Sequence, residues 1–258
     1  MLLKDKVCVV TGVGSLRSIG FATAALFAEQ GAKIVALNLS VTDNVRTAIE
    51  DEIANRTGSD QNFLAIGCDI TDKARCDAAI AAAIDRFGTV DSLIHCAGIV
   101  GSQDILDISE EAFSTMIAVN LQGTLNICQS ILPEFLKHGR GGTIVTVASL
   151  AAQRGGGLVG GGHYAASKGG MISLTRTIAR EFGPRGIRAN IVSPAMIDTG
   201  MLDGNMAEEQ VSEIVKTIPL RRTGHAADVA GACLFLASEL SAYVTGATID
   251  VNGGLHIH

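Results

Sequence analysis

Val7-Cys8-Val9-Val10-Thr11-Gly12-Val13-Gly14-Ser15-Leu16-Arg17-Ser18-Ile19-Gly20 runs from an apolar stretch into a glycine-punctuated turn, and a helical pattern over Gly20–Gln30 follows. An unbroken apolar run of this length reads as a parallel strand covered on both faces. The glycines let the backbone fold tightly and present amide groups and a helix N-terminus to a pyrophosphate. Strand, turn and helix in this order form the context that a dinucleotide site requires. The spacing is not G-x-G-x-x-G, so a merely tight turn is the competing reading.

Outward from this unit the same alternation repeats. Strands are expected at Lys6–Gly12, Lys33–Leu39, Phe63–Ile70, Ser92–Gly98, Gly142–Ser149, Ile187–Pro194 and Ala247–Asn252. Helices are expected over stretches including Gly20–Gln30, Lys73–Phe87, Ser109–His138, Tyr164–Phe182 and Ala226–Ser238. Alternation of this kind implies right-handed crossovers: an α/β, single-domain doubly wound Rossmann fold of about seven parallel strands with helices on both faces. No linker or repeat divides residues 1–258.

Composition narrows the function classes. With 47% apolar and 18% charged residues the chain is not disordered, and its net charge of −6 argues against nucleic-acid binding. Cys8, Cys68, Cys76, Cys96, Cys128 and Cys233 form no C-x-x-C pair and read as core residues in a reducing compartment. Met1–Lys6 enters a strand directly, and no apolar run reaches membrane-spanning length, so a cytoplasmic protein without a secretion signal is expected.

Two further stretches carry chemistry. Tyr164-Ala165-Ala166-Ser167-Lys168 places a phenol and an ammonium one helical turn apart on one face. A neighbouring cation lowers a phenol's pKa from about 10 and fits it for proton exchange near neutrality. Taken alone, such a pair is ordinary; its weight comes from the surrounding chain. At the end of the second strand, Asn38-Leu39-Ser40 is neutral where a carboxylate would repel a 2′-phosphate. With Arg17 nearby, this favours NADP(H) and leaves NAD(H) open.

These motifs coincide in one family. The Gly-rich turn, Cys68-Asp69-Ile70, Cys96-Ala97-Gly98, Val119-Asn120, Ser149, Tyr164-x-x-x-Lys168, Ser193-Pro194 and Asp250–Gly254 occur in the order seen in short-chain dehydrogenases/reductases. The chain resembles that family over its whole length. Ile218–Gly224 and Thr245-Gly246 resemble the 3-oxoacyl-carrier-protein reductase-like branch.

The resemblance implies that Tyr164 is general acid and base, and that Lys168 lowers its pKa and holds the nicotinamide ribose. Ser149 would bond the substrate oxygen, and Asn120 would anchor a proton-relay water. It implies cofactor contacts from Gly12, Ser15, Arg17, Ser18, Ile19, Gly20, Asn38, Ser40, Asp69, Ile70, Ala97, Gly98, Pro194, Ile197 and Thr199. Four departures stand out. The Gly-rich turn is two residues longer than usual, with Ser18 for the middle glycine. His95-Cys96 replaces Asn-Asn, Ala195 replaces a glycine, and Gly155–Gly162 lengthens the Ser149–Tyr164 interval.

A substrate lid is expected over residues 198–219, with Met196, Met201, Leu202 and Met206 as an adaptable apolar lining. The leading expectation is an NAD(P)-dependent oxidoreductase interconverting a ketone or aldehyde and an alcohol. Arg140 and Arg185 occupy positions where carrier-protein reductases dock their carrier, which keeps 3-oxoacyl-carrier-protein reduction as an alternative. A non-catalytic NAD(P)-binding sensor is a more remote one. The resemblance also implies a homotetramer. Neither a metal site nor a nucleic-acid or membrane partner is expected, and His256 and His258 read as tail residues.

Overall fold

The computed structural model describes residues 1–39, 41–58, 62–137, 139–156, 159–200 and 208–257. In chain order the elements are β1 (Val7–Thr11), α1 (Ile19–Glu29), β2 (Lys33–Asn38), α2 (Asp43–Thr57), β3 (Phe63–Gly67), α3 (Lys73–Phe87) and β4 (Ser92–His95). They continue with α4 (Glu110–Ile117), a π-helical turn (Ala118–Gln122), α5 (Gly123–Lys137), β5 (Gly142–Val147), α6 (Ala151–Arg154) and α7 (Gly162–Phe182). The chain closes with β6 (Ile187–Pro194), β7 (Ile197–Asp198), α8 (Glu208–Thr217), β8 (Gly224–His225), α9 (Ala226–Ala237) and β9 (Thr248–Val251).

The seven expected strands form one sheet in the order β3-β2-β1-β4-β5-β6-β9. Every neighbouring pair is parallel. Their apolar runs are buried from both sides, which is why they show no polar alternation. On one face Phe21 and Phe27 of α1, Ile49 and Ile53 of α2 and Cys233 and Leu236 of α9 pack on the sheet. On the other, Ile80 of α3, Ile127, Ile131 and Phe135 of α5 and Ile178 of α7 do so. The winding reverses between β1 and β4, which opens a crevice beyond the C-terminal ends of these strands.

Two expected strands end early, and their ends face this crevice. Beyond β3, the Asp69 carboxylate accepts from the Thr71 amide at 2.9 Å and the Thr71 hydroxyl at 2.7 Å, a turn that takes Cys68–Ile70 out of the sheet. Beyond β4, the Thr11 hydroxyl oxygen accepts from the amides of Cys96 (3.1 Å) and Ala97 (3.0 Å). The helix expected over Ser109–His138 is interrupted by the π turn, where the Gly123 amide reaches back to the Ala118 carbonyl. A small second sheet, β7 with β8, clasps the two ends of the segment expected to form the lid.

Candidate active site

The Gly-rich turn is built by close approaches. Gly12 has φ +77°, and a Cβ there would lie 2.8 Å from the Ala97 nitrogen; a Cβ on Gly20 would lie 2.5 Å from the Gly12 carbonyl oxygen. Ser18, the residue in place of a glycine, is the N-cap of α1: its hydroxyl accepts from the Phe21 amide at 3.0 Å and donates to the Ser15 carbonyl at 2.8 Å. The first turn of α1 holds no acidic side chain, so its N-terminus keeps its attraction for an anion. His95, where the family has asparagine, is fully buried and its Nδ1 lies 2.9 Å from the Thr11 hydroxyl. Burial and the Lys168 charge push this imidazole down to about 3, so it is neutral. Because the Thr11 oxygen already accepts two amide protons, its own proton goes to His95 Nδ1.

A groove runs along this turn. Of the expected cofactor residues, Gly12, Ser15, Ser18, Ile19, Gly20, Asn38, Asp69, Ile70, Ala97, Gly98 and Thr199 line it. Pro194 and Ile197, with Ile19, Gly98 and Thr199, line an adjoining cavity that also receives Tyr164, Lys168 and Ser149. Arg17 lines neither; its guanidinium bonds the Asp198 carboxylate at 3.1 Å across the mouth of the crevice. Ser40 lies outside the described residues, as do Met201, Leu202 and Met206 of the expected lid.

Tyr164 and Lys168 lie on the first turns of α7, both buried. The Lys168 ammonium donates to the Val147 carbonyl at 2.9 Å and stands 6.0 Å from the Tyr164 ring centre. Burial lowers its pKa to about 8. The expected depression of the phenol is not the dominant effect here. Burial holds Tyr164 above the usual tyrosine value, with the Ser149 hydroxyl pulling it back down. Ser149 thus touches Tyr164 just beyond β5, and its oxygen also accepts from the Ala151 amide at 3.2 Å.

Asn120, wholly buried in the π turn, spends its amide on a neighbouring loop. Its oxygen accepts from the Ile99 amide at 2.9 Å, and its nitrogen donates to the Ile99 carbonyl at 2.9 Å and to Ser167 at 3.0 Å. A Cβ on Gly98 would come within 2.9 Å of Asn120 and 3.2 Å of the Lys168 nitrogen, so the two residues meet over that glycine. The four residues expected to act together therefore share one neighbourhood.

A family model described as Enoyl-(Acyl carrier protein) reductase matches residues 12–256. An uncharacterized short-chain type dehydrogenase/reductase of Sinorhizobium fredii, y4mP, is 45% identical over 258 residues, covering 100% of both chains. The chain belongs to the short-chain dehydrogenase/reductase family. A 3-oxoacyl-[acyl-carrier-protein] reductase (FabG) of Thermotoga maritima is 36% identical, again over 100% of each chain. A solved short-chain dehydrogenase/reductase of Brucella melitensis, titled glucose/ribitol dehydrogenase, superposes with a TM-score of 0.87 at 33% identity, covering 100% of this chain and 99% of its own. As a short-chain dehydrogenase/reductase, the protein is an NAD(P)-dependent oxidoreductase acting on CH–OH groups. No helix among the described residues is long and apolar enough to cross a membrane.

Sequence reading overlooked several residues at this short-chain dehydrogenase/reductase site. Thr11 organises the loop after β4, and its position at a strand end was the available signal. Cys96 lines both groove and cavity. Gln153 bonds Asp250 at 2.9 Å and Ser193 at 3.3 Å, and Arg154 beside it lines the cavity; nothing local distinguished this pair from a loop.

Proposed function

We propose that the protein interconverts a ketone or aldehyde and an alcohol, with Tyr164 as general acid and base. The observation that carries this reading is that Ser149, Tyr164 and Lys168 converge on an apolar cavity continuous with the groove around the Gly-rich turn. When bound, the dinucleotide supplies or accepts the hydride at the substrate carbon. In reduction the Tyr164 hydroxyl gives its proton to the carbonyl oxygen; in oxidation the phenolate takes the alcohol proton. Ser149 donates a hydrogen bond to the same oxygen and steadies charge as it develops there. Lys168 restrains the nicotinamide ribose, and Asn120 anchors a water leading to Lys168. Ile197 and Thr199 meet the carboxamide, and residues 198–219 act as the lid.

The neutral end of β2 supports NADP(H), with NAD(H) also accommodated; Arg17 contributes less than its sequence position implied, because Asp198 engages it. The exposed Ile105 and Leu106, at 75% and 94% exposure, support burial against other copies in a homotetramer, and six free cysteines support a cytoplasmic setting.

Tyr164→Phe should lower kcat by about 10²–10⁴-fold while NADPH affinity holds. Unchanged turnover would sink the assignment, and a panel of carbonyls and alcohols without any turnover despite tight cofactor binding would point to a sensor. Reduction of a carrier-bound 3-oxoacyl group is the second reading, favoured by the Thermotoga relative. Against it, Arg140 and Arg185 precede β5 and β6, at the N-terminal end of these strands, whereas Ser149, which touches Tyr164, lies beyond the C-terminal end of β5 in the same chain. Comparing acetoacetyl thioesters with free ketones separates the two.

A further inference from the structure

The cavity beside Tyr164 holds a cation that proton transfer does not use. It has a volume of about 300 Å³, and Val147, Leu150, Val159 and Met196 contribute to its apolar wall. Two cationic side chains line it, Lys168 and Arg154, and among the described residues no carboxylate does. The dinucleotide groove shares Ile19, Cys96, Gly98, Ile99 and Thr199 with this cavity but not Arg154. Pro194, Ile197 and Lys168, which belong to the expected cofactor contacts, also line this cavity alone; Arg154, with Gly155, Gly156 and Val159, follows Ser149 in the chain and lines the part of it to which no cofactor contact is assigned.

The backbone beneath it is fixed. Arg154 ends α6, its amide donating to the Leu150 carbonyl at 3.1 Å, and Gly155 at φ +80° terminates the helix. Gln153 next to it ties α6 to β9 through Asp250 (2.9 Å) and to β6 through Ser193 (3.3 Å). Arg17, Arg56, Arg75 and Arg222 all pair with carboxylates. Among the described residues, Arg154 makes neither an ion pair nor a hydrogen bond through its side chain. Arg154 is exposed, and its unpaired guanidinium at the rim of a largely apolar cavity that no described carboxylate lines offers a planar fork that matches a carboxylate.

We infer that Arg154 selects the substrate, which is a ketone or secondary alcohol with an apolar body and a carboxylate. This rests on the proposed oxidoreductase reading and names the substrate class of the same site.

The test compares oxo acids of about five to eight carbons with their methyl esters, in wild type, Arg154→Ala and Arg154→Lys. Two quantities are read: turnover with NADPH or NADH, and calorimetric binding at low salt to the enzyme–NADP⁺ complex, which cannot reduce the ketone. Wild type should favour acid over ester by about tenfold in both. The ratio should fall to about one in Arg154→Ala, recover partly in Arg154→Lys, and shrink as salt is added. Because each ratio is taken within one protein, loss of folded material cancels. Equal handling of acid and ester by wild type, or an acid preference surviving in Arg154→Ala, overturns the inference. Tyr164→Phe separates it from the reading beneath: turnover of acid and ester should be lost together while acid-selective binding stays. Turnover retained there would overturn the proton-transfer role and leave the selection by Arg154 standing.

Discussion

Lys168 is 4% exposed, and among the described residues its ammonium makes one hydrogen bond, to the Val147 carbonyl. Burial therefore works against the charged form and brings its pKa down to about 8. Below pH 8 the folded protein carries a buried charge that the unfolded chain keeps in water. Between pH 8 and about 10.5 the unfolded chain binds the extra proton, so stability from this residue rises with pH across that window. Lys168→Met removes the burden at the cost of one hydrogen bond. The variant should melt higher than wild type at pH 7, by roughly 2 kcal/mol or about 5 °C, and the gap should close from pH 8 to 10.5. Cys8 and Cys128, pushed up to about 12 by burial without any contribution from Lys168, titrate in both proteins and cancel to first order. A gap independent of pH, read by calorimetric melting at several pH values, would contradict the account. The sequence set Tyr164 and Lys168 on one face of a helix, where the structure has them, and misjudged their electrostatics, since a four-residue spacing says nothing about depth of burial.

At the scale of elements, the glycine-rich approach to α7 is part of the site's wall. Gly160 has φ +94°, and a Cβ there would fall 2.3 Å from Cδ1 of the Tyr164 ring. The Gly161 amide donates to the Gly101 carbonyl at 2.6 Å, which fixes the start of α7 against the loop after β4. Gly160→Ala must therefore displace the phenol or strain the turn. It should lower kcat by about 10²-fold with cofactor affinity retained, since a shift of roughly 1 Å suffices for that. An equal loss in NADPH binding would show instead that the turn had collapsed. What was legible at this scale follows from burial. The seven strands are apolar on both faces and declare themselves. Helix α2 buries only Ile49 and Ile53 of its fifteen residues, and its pattern is correspondingly faint. The π turn around Asn120 leaves no local trace, because Ala118–Gln122 would suit an α-helix equally well; the Ile99 backbone and Ser167, far off in sequence, hold Asn120 there.

Over the whole molecule, the dinucleotide crevice is assembled from segments spread from Thr11 to Gly200, so occupancy should stabilise the entire fold. The Arg17–Asp198 pair joins partners 181 residues apart across its mouth and could not be read from sequence. On the proposed reading, the choice of cofactor rests on the end of β2. There Asn38 lies against the backbone of Gly14, where an added Cβ would meet its amide at 2.8 Å. A neutral side chain at this position spares a 2′-phosphate the repulsion that a carboxylate would exert. A ligand at 100 times its Kd adds about 2.7 kcal/mol, and a chain of this size gains roughly 2–4 °C per kcal/mol. NADPH at that excess should thus raise Tm by about 5–10 °C, and NADH at the same concentration by less. Asn38→Asp should reverse the order, reducing the NADPH shift while keeping or enlarging that of NADH. Thermal melts of both proteins with each cofactor decide it: a larger shift with NADH in wild type, or an order unmoved by Asn38→Asp, would remove the end of β2 as the determinant.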